Sequence, residues 1–196
     1  EGVIAHELSH SVVAITRGIP VKSITLFVFG GVSQISKEAS NPRTELIMAA
    51  AGPFASFVIA AVCYFIFLSM ATVYQPVAAI GRWLALINLL LGIFNLIPGF
   101  PMDGGRVLRS IIWAASGDYR RATQIATYTG RGIAYLFILG GIFIMFSGNW
   151  FNGLWLAFIG WFLENAATGS YRQMVLKDSL HGFKARDLMT QECTSI

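Results

Sequence analysis

The sequence has few charged residues and almost no cysteine. Only 12% of its 196 residues are Asp, Glu, Lys or Arg, against roughly 25% in ordinary soluble domains. No charged residue occurs between Leu46 and Gly81, a run long enough for a helix to cross ~30 Å of hydrocarbon. The scarcity of charge therefore argues against an ordinary soluble domain and favours a chain embedded in a membrane.

The cysteines, the net charge and the start of the sequence exclude further classes of protein. The two cysteines, Cys63 in an apolar run and Cys193 near the end of the chain, give no reason to infer a disulfide framework. The net charge of +4 does not indicate nucleic-acid binding, because the basic residues are scattered at the ends of apolar spans, as in membrane proteins. The chain also starts at Glu1 with neither a Met nor a signal peptide, so we expect a fragment that lacks at least one upstream helix.

Apolar runs separated by Pro and Gly predict the order of the elements. A truncated first helix is expected from about Gly2 to Arg17. Val21–Ser36, rich in Val, Ile, Phe and Thr around Gly30-Gly31, is expected to form two short strands joined by a tight turn. The predicted fold is an all-α polytopic membrane protein, a bundle of about five transmembrane helices with a short β-hairpin or small sheet after the first helix. The other four spans are expected at about 44–74, 83–97, 123–146 and 152–167.

The basic residues orient this bundle. If each span crosses once, the segments 17–45, 104–121 and 171–196 lie on one side of the membrane. That side carries twelve of the fourteen Lys and Arg residues, and the opposite connections carry only Arg82. The asymmetry places the basic loops and the C-terminus in the cytoplasm, with residues 1–178 as the membrane-embedded core.

One motif places ionisable residues inside an apolar stretch, the run His6-Glu7-Leu8-Ser9-His10. On a helix, positions i and i+4 share a face and lie about 6 Å apart along the axis. Both imidazoles can therefore face one Zn²⁺ while Glu7 addresses a water beside it. The pattern is short and also arises by chance, but an ionisable residue within a membrane is costly enough that a functional role is the default interpretation.

A zinc site of this kind needs a third protein ligand, and Asp103 is the candidate. It follows Pro98 and Pro101, which prevent a regular helix. Broken backbone at membrane depth is tolerated only where protein or a water-filled cavity satisfies it, so a broken helix with one carboxylate is suited to reach toward a metal. The alternative is a surface turn in which Asp103 caps the next helix.

With these residues the chain resembles the site-2 protease family of intramembrane zinc metalloproteases. His6–His10 matches the family's H-E-x-x-H motif, Asn95–Gly105 matches its N-x-x-P-x-x-P-x-D-G-G motif, and Ala51–Pro53 resembles its intervening helix. Three residues after that Pro the family often has Asn, where this chain has Ser56. We interpret Ser56 as part of a small-residue stripe, with Gly52 and Ala60, that allows close helix packing and carries no chemistry.

The resemblance implies roles for the motif residues. His6, His10 and Asp103 would bind one Zn²⁺ per chain, Glu7 would act as general base, and Asn95 would bind substrate or stabilise the oxyanion. The implied activity is hydrolysis of a peptide bond within a transmembrane segment of another membrane protein, in a prokaryotic cell membrane. The alternative is a metal-binding membrane scaffold or transporter without hydrolysis, in which Glu7 would have no use.

Two further segments carry hypotheses. A helical substrate must be extended before it is cut, and an unpaired strand edge in Val21–Ser36 could hold it by β-augmentation. The candidate residues are Val28, Gly30, Gly31 and Val32. Residues 179–196 are expected to be a linker and the start of a cytoplasmic domain, because Phe183–Thr190 resembles the opening of a CBS (cystathionine-β-synthase) domain, a module that often binds adenine nucleotides. Nucleotide binding would then belong to a region beyond this chain.

Overall fold

The computed structural model describes residues 2–19, 21–27, 30–35 and 41–180. Within these ranges the chain forms six helices and two strands. In order they are α1 (Gly2–Thr16), β1 (Val21–Phe27), β2 (Gly30–Ile35), α2 (Pro42–Met70), α3 (Gln75–Asn95), α4 (Asp103–Ser116), α5 (Tyr119–Phe146) and α6 (Trp150–Leu180).

Helix α1 has one buried face and ends in a defined cap. Its buried residues recur at helical spacing, at His6, His10, Ser11 and Ala14. Gly18 has φ +74°, a conformation in which a Cβ would be strained. The amide of Gly18 donates to Ile15 and that of Ile19 to Ala14, at 2.9 and 3.0 Å. These are the two hydrogen bonds of a Schellman cap, so the chain turns sharply after α1.

Strands β1 and β2 pair antiparallel, with Thr25 opposite Val32 and Phe27 opposite Gly30. The tight turn expected at Gly30-Gly31 is wrong, because both glycines lie within β2. Residues 28 and 29, which connect the strands, lie outside the described residues. Both strands lie against α1, β2 more extensively than β1, so the pair sits beside the helix that carries the His-Glu motif.

Helix α2 begins where the sequence provides a cap. The side chain of Asn41 accepts a hydrogen bond from the amide of Thr44 at 2.8 Å, and Pro42 occupies the first helical position, where its missing N–H costs nothing. The buried face of α2 packs against α1, α3 and α4. It consists of Thr44, Glu45, Met48, Ala49, Gly52, Pro53, Ser56 and Ala60.

The segment between α3 and α4 is held by close backbone contact with α5. A Cβ at Gly99 would collide with the backbone of Gly130, and a Cβ at Gly130 would collide with that of Phe100. The amide of Phe100 also donates to the carbonyl of Ala126 at 3.3 Å. Only glycine permits this approach, which fixes the loop that leads into Asp103.

The expected bundle of about five transmembrane helices is wrong. Among the described residues, three helices are long and apolar enough to cross a membrane, namely α2, α3 and α5. Helix α1 has only 15 residues, and the Trp residues, Asn152, Glu164 and Asn165 lower the hydropathy of α6. Helix α3 also starts eight residues before the expected Trp83, because Pro76 near its start is compatible with the first turn of a helix.

Candidate metal centre

The two histidines of α1 point into the protein. His6 and His10 are 3% and 4% exposed, and their ring centroids lie 5.0 Å apart. Their spacing of four residues places them on one helix face. The apolar side chains between and beyond them, Leu8 and Val12, are exposed, so α1 presents its imidazoles inward and its apolar surface outward.

Asp103 approaches both rings with the same oxygen. Its Oδ2 lies 3.0 Å from Nε2 of His6 and 3.0 Å from Nε2 of His10. Asp103 is the first residue of α4, and the capping position is Met102, which has no side-chain cap hydrogen bond. The carboxylate therefore faces the histidines rather than capping its helix. His6, His10 and Asp103, hereafter the triad, each offer one ligand atom within 4.8 Å of the others.

Helix α2 orients both rings through their other nitrogens. Nδ1 of His6 lies 2.9 Å from Oγ of Ser56, and Nδ1 of His10 lies 2.7 Å from the carbonyl oxygen of Met48. Such partners fix the tautomer and orientation of a metal-binding imidazole. Because a carbonyl can only accept, Nδ1 of His10 carries the proton and donates it to Met48.

With that proton on Nδ1, the contact between Nε2 of His10 and Asp103 needs either a second proton on the ring or a metal cation between the two atoms. In a neutral His10 the Nε2 atom carries a lone pair, yet it faces the lone pairs of the Asp103 carboxylate at 3.0 Å. A cation between the two atoms removes the conflict. In tetrahedral zinc sites, bonds of about 2.0–2.1 Å place ligand atoms about 3.3 Å apart. Two imidazoles and one carboxylate also match the protein ligands of catalytic zinc sites, so the triad fits Zn²⁺.

Gly52 makes room for the triad. A Cβ built on this residue would lie 2.5 Å from Nε2 of His6 and closer still to Nε2 of His10. The α2 backbone at Gly52 therefore lies directly against the two Nε2 atoms that face Asp103. The small residue at this position is a spatial requirement of the site.

Two other expected site residues, Glu7 and Asn95, are not part of the triad. Glu7 is half-buried on α1 beside His6, and it is not among the three residues whose ligand atoms converge. Asn95, the last residue of α3, is half-buried and donates its amide to the carbonyl of Leu91 at 3.0 Å. This hydrogen bond is within its own helix and not to the triad.

The strand residues are placed only in part. Gly30, Gly31 and Val32 belong to β2, while Val28 lies outside the described residues. Residues 181–196, which include the expected CBS segment, also lie outside them.

The interpretation of the small-residue stripe needs correction. Ser56 does more than permit packing, because its hydroxyl contacts His6. Gly52 also does more, because the rings of His6 and His10 leave no space for a larger residue there. One signal in the sequence could have revealed the contact with His6, namely the position of Ser56, where the family that the chain resembles often has Asn. Sequence reasoning also missed the carbonyl of Met48 and a buried ion pair between Glu45 and Arg109.

Comparison with known proteins identifies the family to which this chain is similar. The family described as "Peptidase family M50" matches residues 2–82 and 70–139. "Putative zinc metalloprotease Rip3" of Mycobacterium tuberculosis is 40% identical over 192 residues, which cover 97% of this chain and 49% of that protein. "Zinc metalloprotease MJ0392" of Methanocaldococcus jannaschii is 35% identical over 190 residues, which cover 96% of this chain and 52% of that protein. The chain thus spans about half the length of these curated relatives.

A solved structure agrees with these relatives. The site-2 protease from Methanocaldococcus jannaschii superposes with a TM-score of 0.68 at 34% sequence identity, over 87% of this chain and 74% of that one. Three apolar helices of spanning length are consistent with an integral membrane protein. On the matched residues and this shared fold, the chain belongs to peptidase family M50, the site-2 protease family.

Proposed function

We propose that the chain is the catalytic core of an intramembrane zinc endopeptidase, which cleaves a transmembrane segment of another membrane protein. The observation that carries the proposal is the convergence of one Asp103 oxygen on the Nε2 atoms of His6 and His10, with the proton of His10 committed to Met48. Family membership supports the same conclusion, since the relatives above carry the name zinc metalloprotease.

The chain's own residues divide the work. The triad would hold the metal, with Ser56 and Met48 orienting the rings. When bound, Zn²⁺ supplies a Lewis acid that polarises the scissile carbonyl and lowers the pKa of water. Glu7 would take a proton from the attacking water and return it to the leaving amine. Asn95 is the proposed donor to substrate or to the developing oxyanion, which requires its amide to leave Leu91.

The proposed orientation follows from charge. The basic connections face the cytoplasm under the positive-inside rule. The C-terminus would join them on that side only through a return of α6, 31 residues long and packed against α5, across the membrane. Asp103 begins α4, which continues into one of these basic segments with Arg106 and Arg109. The metal centre would therefore be reached by water from the cytoplasmic side.

Removal and return of the metal test the proposal. Protein treated with a chelator is expected to lose cleavage of a model membrane substrate, and one equivalent of Zn²⁺ is expected to restore it. Metal content, measured by elemental analysis beside the cleavage rate, should reach one Zn²⁺ per chain. Cleavage that persists in metal-free protein would contradict the proposal, and so would a protein that binds no zinc.

We also propose that β2 holds the extended substrate. This strand lies against α1, the helix of His6 and His10. Within the described residues its partner is β1 alone. A substrate segment that added to its other edge would be held by main-chain hydrogen bonds regardless of its side chains. Gly30, Gly31 and Val32 are the described candidates, and Val28 is the fourth.

A proline in β2 tests this role. Val32→Pro removes one backbone N–H from the strand, and it is expected to slow cleavage about 3–10-fold, the effect of one net hydrogen bond. Zinc content should stay unchanged. Val32→Thr keeps the N–H and the β-branched shape, so it serves as the control. Equal turnover of the proline variant and the wild type would refute substrate capture by β2.

The C-terminal segment is proposed to begin a CBS domain, on the resemblance of Phe183–Thr190 alone. Adenine nucleotide would then act through that domain and not through the membrane core.

A further inference from the structure

A buried ion pair joins α2 to α4. Glu45 is 1% exposed, and Nε of Arg109 donates to its Oε1 at 2.7 Å, while a second guanidinium nitrogen contacts the same oxygen. The side chain of Arg109 is 14% exposed. Glu45 is the last charged residue before the uncharged run that starts at Leu46.

Arg109 also lies over two aromatic rings. Its guanidinium carbon is 5.0 Å from the ring centroid of Phe100 and 4.8 Å from that of Tyr119. Phe100 belongs to the loop that leads into α4, and Tyr119 begins α5. One planar cation on α4 thus contacts three other parts of the fold, which are α2, this loop and α5.

These contacts connect the two halves of the triad. On α2, Glu45 shares the buried face with Met48, Gly52 and Ser56, the residues that surround the histidine rings. On α4, Arg109 follows Asp103 by six residues, about 9 Å of helix. The ion pair therefore links the helix that orients the rings to the helix that carries the carboxylate.

The pair is a poor source of stability. Oε2 of Glu45 is buried and has no hydrogen-bond partner among the described residues, and buried ion pairs often contribute less than apolar residues of similar size. The guanidinium is instead suited to fix geometry, because its planar group combines directed hydrogen bonds with stacking on both rings.

We propose that Arg109 is a positioning residue that holds Asp103 in register with His6 and His10. The inference rests on the proposed zinc site. It requires the planar guanidinium, because Lys retains the charge but neither the forked geometry nor the stacking.

The test measures zinc retention apart from stability. Purified protein in detergent is loaded with Zn²⁺ and mixed with excess chromogenic chelator, and the rate of zinc transfer is recorded. Thermal unfolding of the metal-free protein is measured in parallel. The variants are Arg109→Lys, Arg109→Met and the double variant Glu45→Met/Arg109→Met, in which no buried charge is left alone. Arg131→Met is the control, since it breaks the ion pair to Glu164 between α5 and α6.

We expect Arg109→Lys and Arg109→Met to release zinc about 10–100-fold faster than wild type, which corresponds to the loss of metal affinity typical when outer partners of a metal site are removed. The double variant should regain the unfolding temperature lost by Arg109→Met, yet still release zinc quickly. Arg131→Met should retain zinc as the wild type does.

Other results overturn the inference. If Arg109→Lys or the double variant holds zinc like the wild type, the ion pair is purely structural. The same conclusion follows if zinc release tracks the unfolding temperature across all variants, including Arg131→Met. A wild-type protein that binds no zinc overturns the proposed function and this inference together, and so is distinguishable from failure of the inference alone.

Discussion

Replacement of Glu7 by Gln is expected to lower cleavage of a membrane substrate by about 10²–10⁴-fold, the usual contribution of a general base, while bound zinc stays in place. Gln has nearly the same shape as Glu, but its amide cannot accept a proton from water at neutral pH. Zinc should remain because the convergent atoms belong to His6, His10 and Asp103, none of which is changed.

The measurement pairs initial cleavage rates with zinc content per chain. Glu164→Gln is the matched control, because it makes the same chemical change at a half-buried carboxylate of α6, where the partners are Arg131 and Thr168. It is expected to keep zinc and most of the activity. If Glu7→Gln cleaves at the wild-type rate, Glu7 is not the base. If neither the wild type nor Glu7→Gln cleaves the substrate but both hold zinc, the scaffold or transporter alternative gains support.

Gly52→Ala is expected to weaken zinc binding by at least about 100-fold, the upper end of the losses seen for partners around a metal site. The added methyl group would occupy the space of the two Nε2 atoms that face Asp103. Those rings have little freedom to retreat, because Ser56 and the Met48 carbonyl hold their opposite sides. The helix would have to move away from α1, or the rings would have to turn from the metal.

Gly132→Ala is the control for this substitution. Gly132 is an exposed glycine within α5, and a Cβ there meets nothing within 4 Å. Both changes raise helix propensity by about 0.5–1 kcal/mol, so they differ in the space around the new methyl group. Zinc affinity is measured by competition with a chelator of known affinity. Wild-type affinity in Gly52→Ala would mean that α2 does not pass so close to the rings.

The candidate metal ligands of the triad could be selected from the sequence because local rules govern them. The spacing of His6 and His10 defines one helix face without any knowledge of the fold. Pro98, Pro101 and the glycines after Asp103 mark a break in the helix from sequence alone. The meeting of the two segments is not local, and it was inferred from the chemistry of zinc and from the family's motifs.

The partners of the histidines were not predictable in the same way. Ser56 and Gly52 recur at helical spacing, which signals a packed face but not the neighbour that it meets. Their contacts depend on the rotation of α2 against α1, which many side chains set together. The expected number of spanning helices was wrong for a different reason. Helix α1 has only 15 residues, and the Trp, Asn and Glu residues of α6 lower its mean hydropathy below that of the three candidate spans.

The hydrogen bond from His10 to Met48 ends on a main-chain oxygen. Any amino acid at position 48 supplies that acceptor, so the orientation of this ring does not depend on the identity of the side chain there. A mutational scan of α2 would therefore not detect one of the two contacts that orient the histidine rings. Only a change that rotates or unwinds the helix at that turn would reveal it.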